Sequence, residues 1–392
     1  MKPRDIQCEL AASAAEYPAV TIFGPRQSGK TTLAQNQFAH LPYFSFEDPD
    51  IRLRAQQDPR SFLNEIAQGA ILDEVQRVPD IISYLQGVID NDPTPGKFIL
   101  TGSHQPLIHQ SITQSLAGRT AILELLPFSI NELKAYHRPE QSAFRHILCG
   151  FYPRLHENSL NPERFYKAYL STYVERDIRM LINLKDLTRF ENFLRLLAGR
   201  CGQIVNHSSL ASDTGVSSTT IKNWISILKA CYILFELPPY FSNISKQVIK
   251  SPKLFFTDTG LASYLLNLRT VEQVERDPLR GNLFENLLIM DQVKKLLNAG
   301  RRPQLFFYRD SHGHEVDLII PDGRKLIPIE IKSAATFRPE FIRGIKNFKK
   351  TVGDDRCSSG QIWYNGSTMH EFKRVRVLNP LIHDHCGTEN RE

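Results

Sequence analysis

Hydrophobic positions recur with two different periods along the 392-residue chain, and the change of period divides it. The first part alternates strand and helix patterns. Ala19-Val20-Thr21-Ile22-Phe23 is an apolar, β-prone run that predicts a buried strand, and Lys30 to about Phe38 predicts a helix. Pro42 to Phe46 predicts a short strand ended by Glu47-Asp48-Pro49-Asp50. Asp58-Pro59 reads as a helix start ahead of Phe62, Leu63 and Ile66. Further strands are predicted at Gly69-Ala70-Ile71-Leu72-Asp73-Glu74, which ends in two carboxylates, at Lys97 to His104, and at Ala121 to Leu125. Strands alternating with helices predict a parallel α/β sheet, whose ligands gather at the carboxyl ends of the strands.

From about residue 128 the strand pattern stops. Residues 129–200 read mostly as helices, with Tyr166, Tyr169, Leu170, Tyr173 and Val174 on one stripe that a core would bury. Residues 208–224 follow a helix-turn-helix pattern: Ser208 is expected to cap a short helix, Gly215 to make the turn and Ser217 to cap the second helix. Val216, Ile221, Trp224, Ile225 and Leu228 would face inward, and Ser218, Thr219, Lys222 and Asn223 outward. If that second helix enters a DNA groove, those four outward residues are the candidate contacts. Phe235, Tyr240, Ile249, Leu254 and Phe255 predict the strands of a wing, ended near Phe256 to Ala262. Residues 261–280 read as a charged, linker-like helical stretch, and a helix starts near Gly281. Strands are predicted over Glu315 to Ile320 and Leu326 to Lys332, joined by the turn Pro321-Asp322-Gly323-Arg324.

Composition narrows the class. Hydrophobic content of 41% and charged content of 23% are those of a soluble globular protein, and the length predicts two or three domains. No apolar run reaches the roughly 18 residues of a membrane span, and no apolar region follows Met1-Lys2-Pro3-Arg4-Asp5, so a cytoplasmic protein is expected. The cysteines Cys8, Cys149, Cys201, Cys231, Cys357 and Cys386 lack C-x-x-C spacing and read as reduced thiols. His383-Asp384-His385-Cys386 lies in a polar tail and reads as solvated chain. Charge is uneven: residues 1–150 carry 13 Lys+Arg against 16 Asp+Glu, whereas residues 151–392 carry 35 against 26. A basic second part suggests a polyanionic partner such as DNA.

The chemistry begins at Gly24-Pro25-Arg26-Gln27-Ser28-Gly29-Lys30-Thr31, which reads G-x-x-x-x-G-K-T between a strand and a helix, the form of a phosphate-binding loop. Its glycines let backbone N–H groups face inward at a helix N-terminus, a ready anion site. Lys30 is expected on the β- and γ-phosphates of ATP and Thr31 on Mg²⁺, with Thr32 completing the loop. Asp73 is expected to hold the Mg²⁺ shell, since hard cations prefer oxygen, and Glu74 to orient and deprotonate the attacking water. Thr101 and Ser103 either sense the γ-phosphate or cap the following turn. Arg119, expected near the nucleotide end of the sheet, is either an arginine finger, in cis or toward a neighbouring subunit, or a salt-bridge partner.

Taken together, GPRQSGKTTL, AILDEVQRVPD, FILTGSHQ and SLAGRT resemble the prokaryotic AAA-superfamily ATPases that carry a C-terminal domain of unknown function. The similarity runs through almost the whole chain. It implies that these segments are the Walker A loop, the Walker B strand, the sensor strand and an Arg motif, on a parallel sheet with an added strand between the Walker strands. Tyr173-Val174-Glu175-Arg176-Asp177-Ile178 matches a further motif of that family and makes Arg176 a second candidate for the nucleotide-facing arginine.

In the tail, side chains alternate along a strand, so Glu330 and Lys332 share one face and Ile327, Ile329 and Ile331 the other. A turn centred near 322–323 would put Asp317 opposite about 328–329, beside Glu330, with Glu285 supplied by the preceding helix. This resembles the D…E-x-K site of restriction-endonuclease-like folds, a pattern carried by the tail of the same family. The resemblance implies Mg²⁺ on Asp317 and Glu330, Glu285 as an auxiliary ligand, and Lys332 activating water against a phosphodiester. The alternative is an amphipathic hairpin with exposed charges.

The expected fold is α/β: an AAA-like P-loop ATPase domain with helices on both faces of a parallel sheet (1–130), a helical and winged-helix domain (131–270), and a mixed α/β restriction-endonuclease-like domain (271–392). The expected function is ATP binding and hydrolysis coupled to a DNA-binding and nuclease-like module. The alternative is an ATP-dependent switch whose later domains are non-catalytic scaffolds. ATP and Mg²⁺ are the expected cofactors and DNA the expected partner, without a membrane; a homo-oligomer would suit an arginine acting on a neighbour.

Overall fold

The computed structural model describes residues 3–103, 112, 114–134, 142–172, 187–240 and 251–383. Helix α1 (Gln7–Glu16) leads into β1 (Ala19–Phe23), and α2 (Lys30–Gln37) into β2 (Tyr43–Ser45). Then come α3 (Pro49–Gln57), α4 (Pro59–Glu65), β3 (Ala70–Asp73), α5 (Ile81–Asn91), β4 (Phe98–Gly102) and β5 (Thr120–Glu124). Asp48 and Asp58 accept N–H bonds at the starts of α3 and α4, each followed by a proline whose missing N–H is not needed there. The strands pair in parallel in the order β2-β3-β4-β1-β5, so β4 separates β1 from β3 as the resemblance implied.

Alternation along β1 explains why this sheet is covered on both faces. Ala19 and Phe23 enter a core with Phe62, Leu63, Ile82 and Leu85, while Val20 and Ile22 enter another with Leu10, Leu33 and Ala34. Each such large apolar side chain contributes about 1.5–3 kcal/mol on burial, before conformational entropy is set against it.

The helical run contains α6 (Ile130–Lys134), α7 (Ala143–Cys149), α8 (Pro153–Glu157), α9 (Pro162–Tyr169), α10 (Leu187–Ala198), α11 (His207–Thr214) and α12 (Ser218–Ala230). Tyr166 and Tyr169 are buried as their stripe predicts; Tyr173 and Val174 lie outside the described residues. The cap of α11 is Asn206, not Ser208: the Asn206 side chain accepts the Ser209 N–H at 3.0 Å, which starts the helix earlier and leaves Ser208 inside it. Gly215 takes φ 68° at the turn and Ser217 caps α12, both as expected. Ile221, Trp224, Ile225 and Leu228 are buried, Thr219, Lys222 and Asn223 are exposed, and Ser218 is half-buried.

Strands β6 (Leu234–Leu237) and β7 (Lys253–Phe256) form an antiparallel pair. Tyr240, expected in the same wing, instead packs on Phe306 and Phe348, and its N–H donates to the Phe307 carbonyl at 2.7 Å. Ile249 lies outside the described residues. Helices α13 (Thr259–Leu265) and α14 (Val271–Arg276) correct the linker expectation for 261–280, because Leu261, Ala262, Leu265 and Val274 are buried in the core. The charged residues of α14, Glu272, Glu275 and Arg276, are exposed and mask its apolar side in the sequence.

Helix α15 (Arg280–Asn298) precedes β8 (Phe306–Arg309), β9 (Glu315–Asp322) and β10 (Lys325–Lys332). After them come α16 (Arg343–Val352), β11 (Gly360–Tyr364), β12 (His370–Phe372) and β13 (Val375–Leu378). This mixed sheet runs β12-β13-β11-β10-β9-β8. Leu287 and Leu288 of α15 pack with Leu318, Ile329 and Ile331 on one face, and Phe348 and Val352 of α16 with Val316 and Ile319 on the other. One hydrophobic cluster extends from Leu126 through Trp224 and Phe284 to Leu378. No helix among the described residues is long and apolar enough to cross a membrane.

A buried carboxylate ties the middle of this cluster together. Asp258 caps α13 and accepts from Tyr166 Oη at 2.6 Å, from Gly260 N at 3.0 Å and from Phe151 N at 2.7 Å. Burial raises its pKa, with the Lys294 ammonium opposing. Asp258→Ala leaves the Phe151 and Gly260 N–H groups without this acceptor and Tyr166 Oη with the Cys149 carbonyl at 3.0 Å alone, and is expected to destabilise the protein by about 3 kcal/mol, read as a lowered urea midpoint.

Candidate active sites

The chain turns immediately after β1. A Cβ on Gly24 would stand 2.1 Å from the Leu125 carbonyl oxygen, and Gly29 takes φ 95° at the start of α2, so both glycines are required. Lys30 is buried, and its Nζ donates to the carbonyls of Gly24 at 3.1 Å and Pro25 at 2.9 Å, closing the loop on itself. Burial lowers its pKa, opposed by Glu74 and Asp73. Asp73 ends β3 and accepts from Thr31 Oγ1 at 3.0 Å, from Tyr43 Oη at 2.8 Å and from Thr101 Oγ1. Burial, and the hydrogen bond to Asp73, push the Tyr43 phenol up to about 12.

Glu74 sits just past β3 in the left-handed region at φ 57°, where a non-glycine residue is strained. Burial raises its carboxyl pKa, and the Gln76 amide donates to it. Ser103 follows β4, whose Gly102 stands beside Phe23, so Ser103 emerges between the loop and Asp73. The Oγ atoms of Ser28 and Ser103 are buried without a hydrogen-bond partner among the described residues. Buried polar atoms are normally satisfied, so a polar ligand fits here. Thr31 and Asp73 present the hydroxyl and carboxylate oxygens that suit Mg²⁺. A cavity of about 420 Å³ opens over the loop, lined by Arg26, Gln27, Lys30, Thr31, Thr32 and Glu74 on one side and by Phe128, Pro153 and Arg154 on the other.

Arg119 requires a correction. It precedes β5, and its carbonyl accepts from the N–H of Ala19 at the start of β1, so it lies at the end of the sheet opposite the loop. Its guanidinium forms a fork with Asp90 of α5 at 2.5 and 3.0 Å. It is therefore a surface salt-bridge partner and not a cis arginine for this loop; the connection ahead of a parallel strand enters at the wrong end. His104 and Arg176 lie outside the described residues, as do Asp384, His385 and Cys386.

Sequence reading missed Arg4, which no motif marks. Its buried guanidinium donates to the Ser28 carbonyl at 2.8 Å, the Leu126 carbonyl at 2.8 Å and the Glu132 carboxylate at 2.8 Å. A trans peptide is planar, so holding the Ser28 carbonyl aims the Gly29 N–H in the opposite direction. Glu132 also accepts from the backbone N–H groups of Asp5 and Ser129. The contacts to Leu126 and Glu132 span more than a hundred residues, so no local pattern announces this arrangement.

The second constellation lies on β9, β10 and α15. The register runs from Lys325↔Asp322 to Ile329↔Leu318, slightly shifted from the expected one because the two turn residues are Gly323 and Arg324, with Gly323 at φ 59°. Asp317 Oδ2 accepts from the Ile331 N–H at 2.8 Å and from Lys332 Nζ at 3.3 Å, and Lys332 also donates to Glu330 at 2.8 Å. Asp317, Glu330 and Lys332 are therefore brought together as expected. Glu285 stands nearby, but a residue absent from the expected set holds it. Lys253, 3% exposed on β7, reaches Glu285 at 2.8 Å and Glu315 at 2.5 Å.

Electrostatics separate these carboxyls. Burial raises Asp317, but Lys332 and Lys253 outweigh it and hold the group below its ordinary range. Burial and the Asp317 charge push Glu330 well above its ordinary range, with Lys332 opposing. Glu285 is pushed up to about 7 by burial, against the pull of Lys253. Two neighbouring carboxyl groups next to a lysine offer the oxygen ligands that suit Mg²⁺, which takes one or two carboxylates and completes its shell with water and phosphate. Among the described residues no three His, Cys, Asp or Glu side chains are placed to hold a metal ion by themselves.

Residues 16–134 match the family model of an AAA domain, and residues 140–272 and 280–381 match two domains of unknown function (DUF8612 and DUF4143). An uncharacterized protein of Mycobacterium tuberculosis is 27% identical over 345 residues, 88% of this chain and 76% of the relative. One of Methanocaldococcus jannaschii is 23% identical over 232 residues, 57% of this chain and 48% of the relative. Among solved structures, a Walker-type ATPase of Pyrococcus abyssi superposes with a TM-score of 0.38 at 16% identity, covering 67% of this chain and 94% of that one. RuvB of Thermotoga maritima superposes with a TM-score of 0.33 at 19% identity, covering 60% and 89%. The five-stranded parallel sheet with its loop matches a P-loop NTPase fold, within the residues that match the AAA domain, and a mixed α/β sheet follows.

Arg4→Lys cannot satisfy three acceptors from one fork. It is expected to weaken binding of a fluorescent ATP analogue about tenfold, the worth of one to two hydrogen bonds, in a direct titration.

Proposed function

We propose that this protein is an ATPase whose nucleotide state is coupled to a DNA-binding, nuclease-like half. The observation that carries the coupling is helix α15. At one end Glu285 faces Lys253 and the Asp317 side of the mixed sheet. Further along, Asp291 accepts the Ile130 N–H at 2.8 Å, and Lys294 donates to the Phe128 carbonyl at 2.9 Å, directly after the parallel sheet. Helix α15 thus meets the carboxylate cluster at one end and, further along, the Phe128–Ile130 segment, whose Phe128 borders the cavity over the loop.

In this reading the Gly24–Thr32 loop holds the ATP phosphates through its N–H groups and Lys30. Thr31 and Asp73 hold Mg²⁺, which offsets phosphate charge when bound. Glu74 takes the proton of the attacking water, its carboxyl pKa already raised toward that of a base, and Ser103 orients that water. Residues 1–130 act as the motor. Residues 131–270 and 271–392, which share one core, respond as one body. Helices α11 and α12 with β6 and β7 serve as a winged helix, offering Ser218, Thr219, Lys222 and Asn223 to DNA. Asp317 and Glu330 hold a second Mg²⁺, Glu285 assists, and Lys332 lowers the cost of deprotonating water beside a phosphodiester.

A second reading, a non-catalytic scaffold moved by ATP, is favoured by one feature: Lys253 and Lys332 already neutralise the carboxylates.

Lys30→Ala is expected to abolish ATP binding, and Glu74→Gln to keep binding while cutting turnover at least a hundredfold, the usual worth of a general base. Comparable turnover in wild type and Glu74→Gln would remove the role given to Glu74. Asp317→Ala should abolish both Mn²⁺ binding at the second site, measured by calorimetry, and cleavage of plasmid DNA. Lys332→Ala should keep the metal and slow cleavage. Metal binding with no cleavage by the wild type would favour the scaffold.

A further inference from the structure

Helix α16 has an unusual outer face. Its ten residues include Arg343, Lys346, Lys349 and Lys350 and no acidic residue. Ile345, Phe348 and Val352 are buried, which turns Arg343, Lys346 and Lys350 outward, all three exposed. Spacings of three and four residues put them on one helical stripe. None of the three forms an ion pair among the described residues. A solvated helix ordinarily interleaves acids at these spacings, because like charges there repel.

The stripe begins in the carboxylate cleft. A Cβ on Gly344 would lie 1.8 Å from Glu330 Oε1 and 2.3 Å from the Glu315 carbonyl, so the first turn of α16 rests directly on the cleft floor. Arg343 and Asn347 line a cleft of about 520 Å³ together with Glu330, Lys332, His312 and His314. Glu340 at its margin lies 3.9 Å from Arg338, which offsets its charge. From Arg343 to Lys350 the stripe rises about 10 Å at 1.5 Å per residue. That length spans roughly three phosphates of one strand at about 3.4 Å each.

We propose that the Arg343–Lys346–Lys350 face is a phosphate track that leads one strand of a nucleic acid into the cleft floored by Glu330 and Lys332. The proposal rests on the nucleic-acid reading of the C-terminal half and says where the strand lies: across α16, in addition to α12. The cations follow the backbone, so the track reads charge and not sequence.

The test uses the full chain and a variant in which Arg343, Lys346 and Lys350 are all changed to glutamine, a good helix former that leaves the buried face intact. Affinity for fluorescein-labelled duplex and single-stranded oligonucleotides is measured across a salt series. Circular dichroism checks that the variant is folded. The expected result is a binding loss of at least tenfold at low salt, with the slope of log affinity against log salt shallower by about 2–3, close to one counterion per lost phosphate contact. A folded variant that binds with unchanged slope while the wild type binds overturns the track and leaves the nucleic-acid reading standing. Lys222→Glu, measured alongside, reports on α12 alone. A wild type that binds neither oligonucleotide at low salt overturns the nucleic-acid reading and the track together, and binding to anionic vesicles alone would identify the face as a membrane contact instead.

Discussion

Charge buried at the seam between the parallel sheet and the helical half must be paired, since an unpaired ion there costs several kcal/mol. The seam is built around that constraint. Arg4 is held by Glu132 and by two carbonyls, and its guanidinium lies 4.9 Å from the Phe128 ring. Lys294 lies over the Phe151 ring at 4.1 Å, and burial lowers its pKa to about 8. Asp291 and Asp258 take backbone N–H groups from segments 107 to 161 residues away in sequence. Because these groups satisfy one another, the loop over Ser28, the segment 126–130 and α15 cannot shift independently without stranding a charge.

Both constellations use lysine in the same way. Lys30 caps carbonyls of its own loop, and Lys253 and Lys332 sit among carboxylates. Each ammonium occupies a place in which a phosphate or a cation would change the balance of charge. In the loop, an incoming phosphate offers Lys30 stronger acceptors than two carbonyls do. In the mixed sheet, an incoming cation would compete with lysines already in place on the carboxylates.

The parallel sheet was legible because its strands are short apolar runs bounded by turn signals, and the loop motif fixes which strand comes first. The hairpin was legible to within a slight register shift, since Gly323 could be seen but not which residues would close the turn. Arg119 lies at the far end of the sheet because the chain enters a parallel strand at its amino end, a constraint of strand direction that the Arg motif does not carry by itself. The packed character of 261–280 was hidden by its charges, and Asn206 and Ser208 are both good caps, so sequence alone could not choose between them. Arg4 and Lys253 carry no local signal at all. Each acquires its place from partners brought in by tertiary packing.

Central to the account is that nucleotide at the loop is felt through α15 at the carboxylate site. Hydrogen–deuterium exchange of the full chain, with and without ATP and Mg²⁺, tests this directly. The account predicts slowed exchange over residues 24–32 together with a change in α15 and in β10 around Glu330. Protection confined to residues 16–134, with α15 and β10 unaltered at saturating nucleotide, would contradict it.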